Sequence, residues 1–271
     1  MPKAAEERNE KYEAQMASYQ EQIDAVSRKE KTVLDSIAQN PAAAALKRIL
    51  LADEMLYVVS LYLARHTLSV SVLRTKNEDA LNDARKTLYK AVIYLEETVS
   101  DFVDAPYADY ADKVDQLGSF PEAQRYYLVR KLGLAIRMVE DAYGDNTKWR
   151  WTFVELEARF ATVAKNIIDL KKASKEGLDP HAPDYDVTVY HLRLVKKLLA
   201  QAADRYREKY ELSTGRIDDF RLGIQYLLAL RRIHLLLNER EDAEEAKRKA
   251  EIWNQKMEKD HKKSESRGQV R

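Results

Sequence analysis

The stretch PAAAALKRILLADEMLYVVSLYLARHTLSVSVL, from Pro41 to Leu73, is the longest strongly apolar run of the chain without an internal Gly or Pro. One set of positions recurs in it at alternating steps of three and four: Ile49, Ala52, Leu56, Val59, Leu63, His66, Val70 and Leu73. This period places them in one stripe along a helix. A second stripe beside it contains Leu51, Met55, Val58 and Tyr62. A helix with so wide an apolar arc is predicted to lie centrally, covered by other helices.

The composition of the whole chain favours helices. Only 7 Gly and 6 Pro occur among 271 residues, which leaves few places for the turns of a sheet. Ala, Leu, Glu, Lys and Arg, the strong helix formers, are abundant. We therefore predict an all-α fold.

Charge and cysteine content narrow the functional classes. Lys plus Arg number 46 and Asp plus Glu number 45, so no global field draws the chain to nucleic acid or anionic lipid. The lack of cysteine excludes disulfides, thiolate metal sites and a cysteine nucleophile. The start MPKAAEERNE has no signal-like apolar segment, and the most membrane-like run, residues 55–64, is shorter than the about 20 residues of a membrane span. We predict a cytoplasmic protein with neither nucleic acid nor membrane as partner.

Residues 1–39 are predicted to form a charged helix with a heptad-like seam. The seam residues follow one another in alternating fours and threes, with Glu30 in the same register: Tyr12, Met16, Tyr19, Ile23, Val26, Val33 and Ile37. A stripe this narrow is typical of a coiled-coil partner. Two alternatives follow, in which the helix packs on its own chain or the seam mediates assembly, including homo-oligomer formation.

Residues 40–258 are predicted to form a body of antiparallel helical hairpins. The hairpins span 41–104, 121–173 and 184–238, and a closing helix spans 241–258. Short turns between long helices make consecutive helices antiparallel neighbours. The expected architecture is an elongated hairpin array, either an α-solenoid of tetratricopeptide-like type or an extended helical bundle. Residues 259–271 are polar without an apolar period and are predicted to be a disordered tail.

One segment carries a resemblance to a known family. LNEREDAEEA, Leu237–Ala246, resembles the turn between the two helices of a tetratricopeptide repeat, and NEDAL, Asn77–Leu81, is a poorer match. The helices are longer than in those repeats, and no regular period of about 34 residues occurs. The resemblance therefore implies a similar style of helix pairing and no binding residues.

Lys148, Arg150 and Trp151 form the first candidate interaction site. Trp151 lies two positions after Trp149, which starts a clean apolar stripe, so it points about 200° around the helix from that stripe. A large aromatic side chain flanked by basic residues and turned away from the core is typical of an interaction anchor. The alternative is that a neighbouring hairpin covers Trp151.

Arg231, Arg232 and His234 form the second candidate site. These residues interrupt an otherwise apolar helix. They are predicted either to line a polar groove that takes an acidic partner or to form the solvent face of the helix.

The loop 179–186 is the remaining candidate for metal or enzyme chemistry. It carries Asp179, His181, Asp184 and Asp186, but it lacks the Gly and Glu positions of a calcium loop. Glu-x-x-His, the ligand pair of di-iron bundles, occurs only at Glu258–His261. We assign no catalytic, cofactor-binding or metal residues and predict that the chain is not an enzyme.

The leading hypothesis is a non-enzymatic helical scaffold or adaptor that mediates protein–protein interaction within a larger assembly. One alternative is an all-α metal-binding protein or enzyme that uses the 179–186 loop. The other is a peripheral helical protein on a membrane surface.

Overall fold

The computed structural model describes residues 2–145 and 147–268, and within them the chain forms ten α-helices and no strand. The helices are α1 (Pro2–Gln39), α2 (Ala44–Leu73), α3 (Glu78–Thr98), α4 (Ala111–Asp115), α5 (Glu122–Tyr143), α6 (Arg150–Asn166), α7 (Leu170–Glu176), α8 (Tyr185–Lys209), α9 (Ile217–Leu236) and α10 (Arg240–Gly268). The all-α prediction is confirmed, and within each unit neighbouring long helices such as α2 and α3, or α8 and α9, pack antiparallel.

The chain divides into two compact units. Unit 1 contains residues 1–99 and 127–147, and unit 2 contains residues 100–126 and 148–271. The predicted division into a separate N-terminal helix and one hairpin body stays a prediction, and the two units are drawn differently. Helix α1 is part of unit 1, and the predicted hairpin 121–173 is divided, because most of α5 belongs to unit 1 and α6 to unit 2.

Unit 1 is organised around the hairpin of α2 and α3. Both apolar stripes of α2 contribute buried residues, among them Ile49, Leu51 and Val59. The turn between the helices is made by Arg74, which adopts a left-handed conformation with φ 58°, and by Asn77, whose side chain accepts a hydrogen bond from the Ala80 N–H. This cap satisfies one of the free amides at the start of α3 and fixes where that helix begins.

The predicted seam of α1 packs within unit 1. Ile23, Val26 and Ile37 are buried, and Met16, Tyr19 and Val33 are half-buried. The Tyr12 hydroxyl lies 3.0 Å from Ser69 Oγ on α2. Glu30 is also buried, and its carboxylate accepts hydrogen bonds from Lys90 and Tyr94 on α3. The seam thus lies against its own chain, and its use for assembly stays a prediction.

Among the described residues, α2 is the one helix long and apolar enough to cross a membrane by length and composition. Its most apolar window has a mean hydropathy of 1.3, and 39% of that window is buried inside the protein. The core helix of a soluble protein satisfies the same criterion. In this structure α2 packs against α1 and α3.

Unit 2 is built from α6, α8, α9 and α10, each packed on the next. Its core contains an aromatic cluster in which Phe220 stacks on Tyr210 and contacts Trp253, with ring centroids 4.7 and 5.8 Å away. Gly223 allows α9 to lie close to α8 and α10. A Cβ at this position would lie 3.1 Å from the Ala203 carbonyl oxygen and 3.4 Å from the Trp253 ring.

Two helix ends differ from the sequence prediction. Helix α3 ends at Thr98, before the predicted hairpin limit at residue 104. Helix α10 continues to Gly268, beyond the predicted limit of the closing helix at residue 258, and residues 269–271 of the predicted tail lie outside the described part. Its Glu, Lys and Arg residues favour helix, and the Tyr210 hydroxyl donates to Asp260 Oδ2 at 2.9 Å, which holds α10 beyond the predicted end.

Candidate functional site

The most exposed group of large apolar side chains in unit 1 lies along α2 and α5. We define the α2–α5 face as these side chains together with the ion pair between Asp53 and Lys131. The exposed fractions are 64% for Leu50, 42% for Tyr57, 60% for Tyr127, 61% for Leu134 and 47% for Met138. Single exposed apolar residues are ordinary, whereas several in one place mark an interaction surface.

Helical spacing brings these residues together. On α2, positions 50, 53 and 57 share one side of the helix, and on α5 positions 127, 131, 134 and 138 do so. Lys131 Nζ lies 2.5 Å from Asp53 Oδ1 and joins the two stripes. At the far end of α5, the Tyr143 hydroxyl donates to Asn82 Oδ1 at 3.0 Å, and the Tyr143 carbonyl accepts from Lys76 at 3.1 Å.

These contacts give the direction of α5 on unit 1. Lys131 contacts Asp53 in the first half of α2, and Tyr143 contacts Lys76, just beyond the end of α2. The two helices therefore run in the same direction. The same side of α5 also carries the exposed Arg130 and Arg137, so the apolar side chains of the face lie among several charges.

The Trp151 site is partly covered. Trp151 is half-buried, and the Arg150 guanidinium lies over its ring at 4.9 Å from the centroid. Lys148 lies over the Trp149 ring at 5.2 Å, and Trp149 precedes the first residue of α6. Each basic side chain thus contacts the neighbouring indole ring. The interaction role predicted for these residues stays a prediction.

Arg231, Arg232 and His234 do not form one surface. Arg232 and His234 are two positions apart on α9 and point about 200° apart. Arg232 binds Asp104, with Nη1 2.9 Å from Oδ1, whereas His234 Nδ1 lies 2.6 Å from Glu239 Oε2. Arg231 is half-buried. A single groove lined by all three residues is therefore not present.

One group of side chains in the described part of the chain has the arrangement of a metal site. His234, Glu239 and Asp242, at the turn from α9 to α10, offer one ligand atom each within 4.8 Å of one another. Lys196 already donates to both Glu239 oxygens, at 2.6 and 2.9 Å. Hydrogen bonds from Lys196 and His234 hold the pKa of Glu239 below its usual value although burial opposes this. The group is explained as a polar brace between α8, α9 and α10.

The loop 179–186 uses its predicted ligands for local structure. The Asp179 carboxylate accepts from the His181 N–H at 3.0 Å, and Asp184 accepts from Lys172 at 3.2 Å. The metal or enzyme role proposed for this loop gains no converging ligand set among the described residues.

A buried lysine is the most perturbed base of unit 2. Lys165 is 2% exposed, and its ammonium donates to Asn166 Oδ1 at 2.8 Å. It also lies 3.4 Å from the Ala105 carbonyl oxygen and from the Tyr110 hydroxyl. Burial and, to a smaller extent, the charge of Arg232 lower the pKa of Lys165 to about 8, against the opposing effect of Asp104.

The neighbours of Lys165 show what this group does. The Asn166 amide donates to the carbonyl oxygens of Ser100 and Phe102, at 2.8 and 3.2 Å. Lys165 and Asn166 therefore satisfy carbonyls of the irregular segment 100–120, which has few helical partners of its own. Lys165 has the lowered pKa of a reactive lysine, yet its burial and contacts are those of a structural one.

Two further buried groups hold the same region. The Arg125 guanidinium donates to three carbonyl oxygens, those of Leu117, Phe120 and Ile167, at 2.9, 2.8 and 3.1 Å. His191 is fully buried, with Nε2 3.1 Å from the Ala164 carbonyl oxygen and Nδ1 2.6 Å from Glu122 Oε1. A carbonyl oxygen can only accept, so the Nε2–H group donates to it. The hydrogen bond between Nδ1 and Glu122 Oε1 therefore requires one further proton, carried by the ring or by the carboxylate.

The residues of the α2–α5 face were not predicted from the sequence, because an exposed apolar stripe has the same helical period as a buried one. A signal was present on α5, where Tyr127, Leu134 and Met138 form a second stripe beside the buried one. The buried Lys165 and Asn166 lie between the stripe positions Val163 and Ile167, where a helix ordinarily faces solvent. Neither pattern by itself distinguishes a surface from a core.

The fold and these sites define an all-α protein of antiparallel packed helices, with an exposed apolar face in unit 1 and a buried polar network in unit 2. The chain belongs to the TP0443 family, whose family model matches residues 8–261. No curated protein matches the chain. Membership of this family specifies no reaction, so function has to be inferred from the surfaces.

Proposed function

We propose that the chain is a non-enzymatic protein-interaction module, a scaffold or adaptor within a larger assembly, and that the α2–α5 face is its contact surface. The supporting observation is the group of five large apolar side chains on that face, each between 42% and 64% exposed. Burying them on a partner removes apolar area from water, which is the main driving force of association.

The shape of the face indicates the chemistry of its partner. An amphipathic helix with apolar residues at steps of three and four fits a strip formed by two helices. Tyr57 and Tyr127 supply aromatic side chains, which are enriched in interaction anchors. The Tyr57 hydroxyl donates to Gln22 on α1. A solenoid or tetratricopeptide-like array, and a cytoplasmic location, remain proposals beside this one.

Site-specific photo-crosslinking tests the proposal. A photoreactive amino acid is placed at Leu134 in cells that naturally produce the protein, and at Ile93 on α3 as a matched control. Ile93 is also apolar and 40% exposed but lies off the face. We expect discrete crosslinked products from position 134 and none from position 93. Equal yields at the two positions, or none at either, would overturn the proposal.

A further inference from the structure

A buried histidine and a buried carboxylate meet inside unit 2. We propose that Glu122 and His191 form a proton-dependent latch between α5, α6 and α8. The latch is an imidazolium–carboxylate pair, which holds one proton more than the same two side chains carry in water at neutral pH. This inference goes beyond the proposed function and does not depend on the α2–α5 face.

The contacts of the His191 ring determine how many protons the pair holds. The ring is fully buried, with Nε2 3.1 Å from the Ala164 carbonyl oxygen and Nδ1 2.6 Å from Glu122 Oε1. A neutral imidazole carries a single N–H group, so beside a carboxylate either tautomer leaves one ring nitrogen lone pair facing an oxygen. In a buried site such a contact is a lost hydrogen bond that water does not replace. Both contacts are satisfied when the pair holds one further proton.

Two helix ends and one neighbouring charge place this proton on the imidazole ring. Glu122 is the first residue of α5, where the helix dipole favours a negative charge. Ala164 lies in the last turn of α6, where the dipole favours a positive charge. Arg125 follows Glu122 by one helical turn; burial lowers the pKa of Arg125, and the charge of Glu122 opposes this. The carboxylate is thus stabilised as an anion and the ring as a cation.

The other titratable side chains around the pair have their own partners or are uncharged. The Tyr126 ring packs against His191 with centroids 5.5 Å apart, and Lys165, next to Ala164, directs its ammonium to Asn166. One turn from His191 on α8 lie uncharged residues: Val187, Thr188, Leu194 and Val195. Charged residues of α7 and α9, which also pack on α8, are paired elsewhere: Lys172 with Glu176, Asp219 with Lys209, and Arg232 with Asp104. Arg125 is therefore the main external charge on the pair.

The extra proton makes the stability of unit 2 depend on pH. In the unfolded chain a histidine releases its proton near about pH 6.5, whereas the folded pair keeps it. Above that pH the folded state binds more protons than the unfolded state, so stability falls as pH rises. When the folded pair also releases its proton, one hydrogen bond is lost and a carboxylate faces a lone pair. The latch between α5, α6 and α8 then opens.

Glu122→Gln tests the latch with little change in shape, because the amide N–H donates to Nδ1 without a further proton. Urea denaturation of the full-length chain is followed by tryptophan fluorescence between about pH 6 and about pH 7.5. The folding equilibrium constant of the wild type, divided by that of Glu122→Gln, should fall at least about eightfold across this window. Lys165 is common to both proteins and cancels in the ratio. The control Asp218→Asn removes an exposed carboxylate of α9 and should follow the wild type within about twofold.

The protonation of His191 in the folded protein is an independent measurement. Nitrogen NMR of the imidazole rings distinguishes a protonated nitrogen from a bare one, and the His191 signals are those that disappear in His191→Gln. We expect two protonated nitrogens in the wild type at about pH 7.5 and one bare nitrogen in Glu122→Gln. A bare nitrogen in the folded wild type at that pH, or a stability ratio that stays constant across the window, overturns the proposal.

Discussion

The two units place their charged side chains differently. In unit 1 most ion pairs lie at the surface and connect helices there, as Asp53 and Lys131 do, and large apolar residues remain exposed beside them. In unit 2 Arg125, Lys165 and the pair of Glu122 and His191 are buried, and they hold irregular backbone to the helices. A group of exposed apolar side chains is typical of a binding surface. Buried polar side chains whose hydrogen bonds are all satisfied are typical of networks that fix one packing of the core. Unit 2 also exposes large apolar side chains, among them Phe102 and Leu212, so it is the grouping of such side chains on α2 and α5 that supports the contact surface proposed in unit 1.

The largest effect is expected where a buried charge is removed from unit 2. Arg125→Ala leaves three carbonyl oxygens without their donor, so we expect a loss of about 3 kcal/mol in the free energy of unfolding. Urea denaturation followed by tryptophan fluorescence measures it, because all three tryptophans, at positions 149, 151 and 253, belong to unit 2. The exposed Arg221→Ala serves as control and should change stability by less than about 0.5 kcal/mol. A similar small change for Arg125→Ala would contradict the assigned role.

A smaller effect should appear as a pH dependence of unit 2. Because the pKa of Lys165 is lowered to about 8, the unfolded chain binds more protons than the folded one above that pH. Stability should therefore rise with pH from about pH 8 until the usual lysine pKa is reached. We expect about 2 kcal/mol between about pH 7.5 and about pH 9.5, measured by urea denaturation.

Lys165→Met is the matched variant for this pH dependence. It removes the titrating group, so the rise in stability between these two pH values should be absent. Buried tyrosines with raised pKa, such as Tyr110, lower stability only above about pH 10 and are common to both proteins. A wild type whose pH dependence equals that of the variant would show that Lys165 is not perturbed.

Substitutions on the α2–α5 face should have the opposite pattern to those in the core of unit 2. They should weaken association and leave the stability of the fold nearly unchanged. Leu134→Glu replaces an exposed side chain, so the free energy of unfolding should change by less than about 0.5 kcal/mol. The crosslinking yield of the face with its partner should nevertheless fall at least tenfold, because a charge enters an apolar contact. Ile93→Glu on α3 should affect neither quantity. A large loss of stability in Leu134→Glu would show that the residue belongs to the core.

The smallest expected effect is that of the central ion pair on folding. Both side chains are about half exposed, and exposed pairs contribute about 0 to 1 kcal/mol. Asp53→Asn should therefore destabilise the chain by no more than about 0.5 kcal/mol, and 1 M salt should reduce even that. A loss of several kcal/mol would mean that the pair holds α5 in place.

The long helices could be predicted from the sequence because apolar period and breakers are local properties. The stripe from Ile49 to Leu73 and the turn at Asn77 correspond to observed elements. The division of residues 121–173 between two units could not be predicted, since helical period does not specify which neighbour covers each face. Leu134 and Val139 have the same apolar character in the sequence, yet one is exposed and the other buried. The candidate face depends on that difference.

Photo-crosslinking at every exposed apolar position of unit 1 tests the central claim most directly. The positions on the face are 50, 57, 127, 134 and 138, and those off it are 34, 70, 73 and 93. The account predicts crosslinked products from the first group in intact cells and none from the second. Products confined to the second group, or spread evenly over all nine positions, would contradict it.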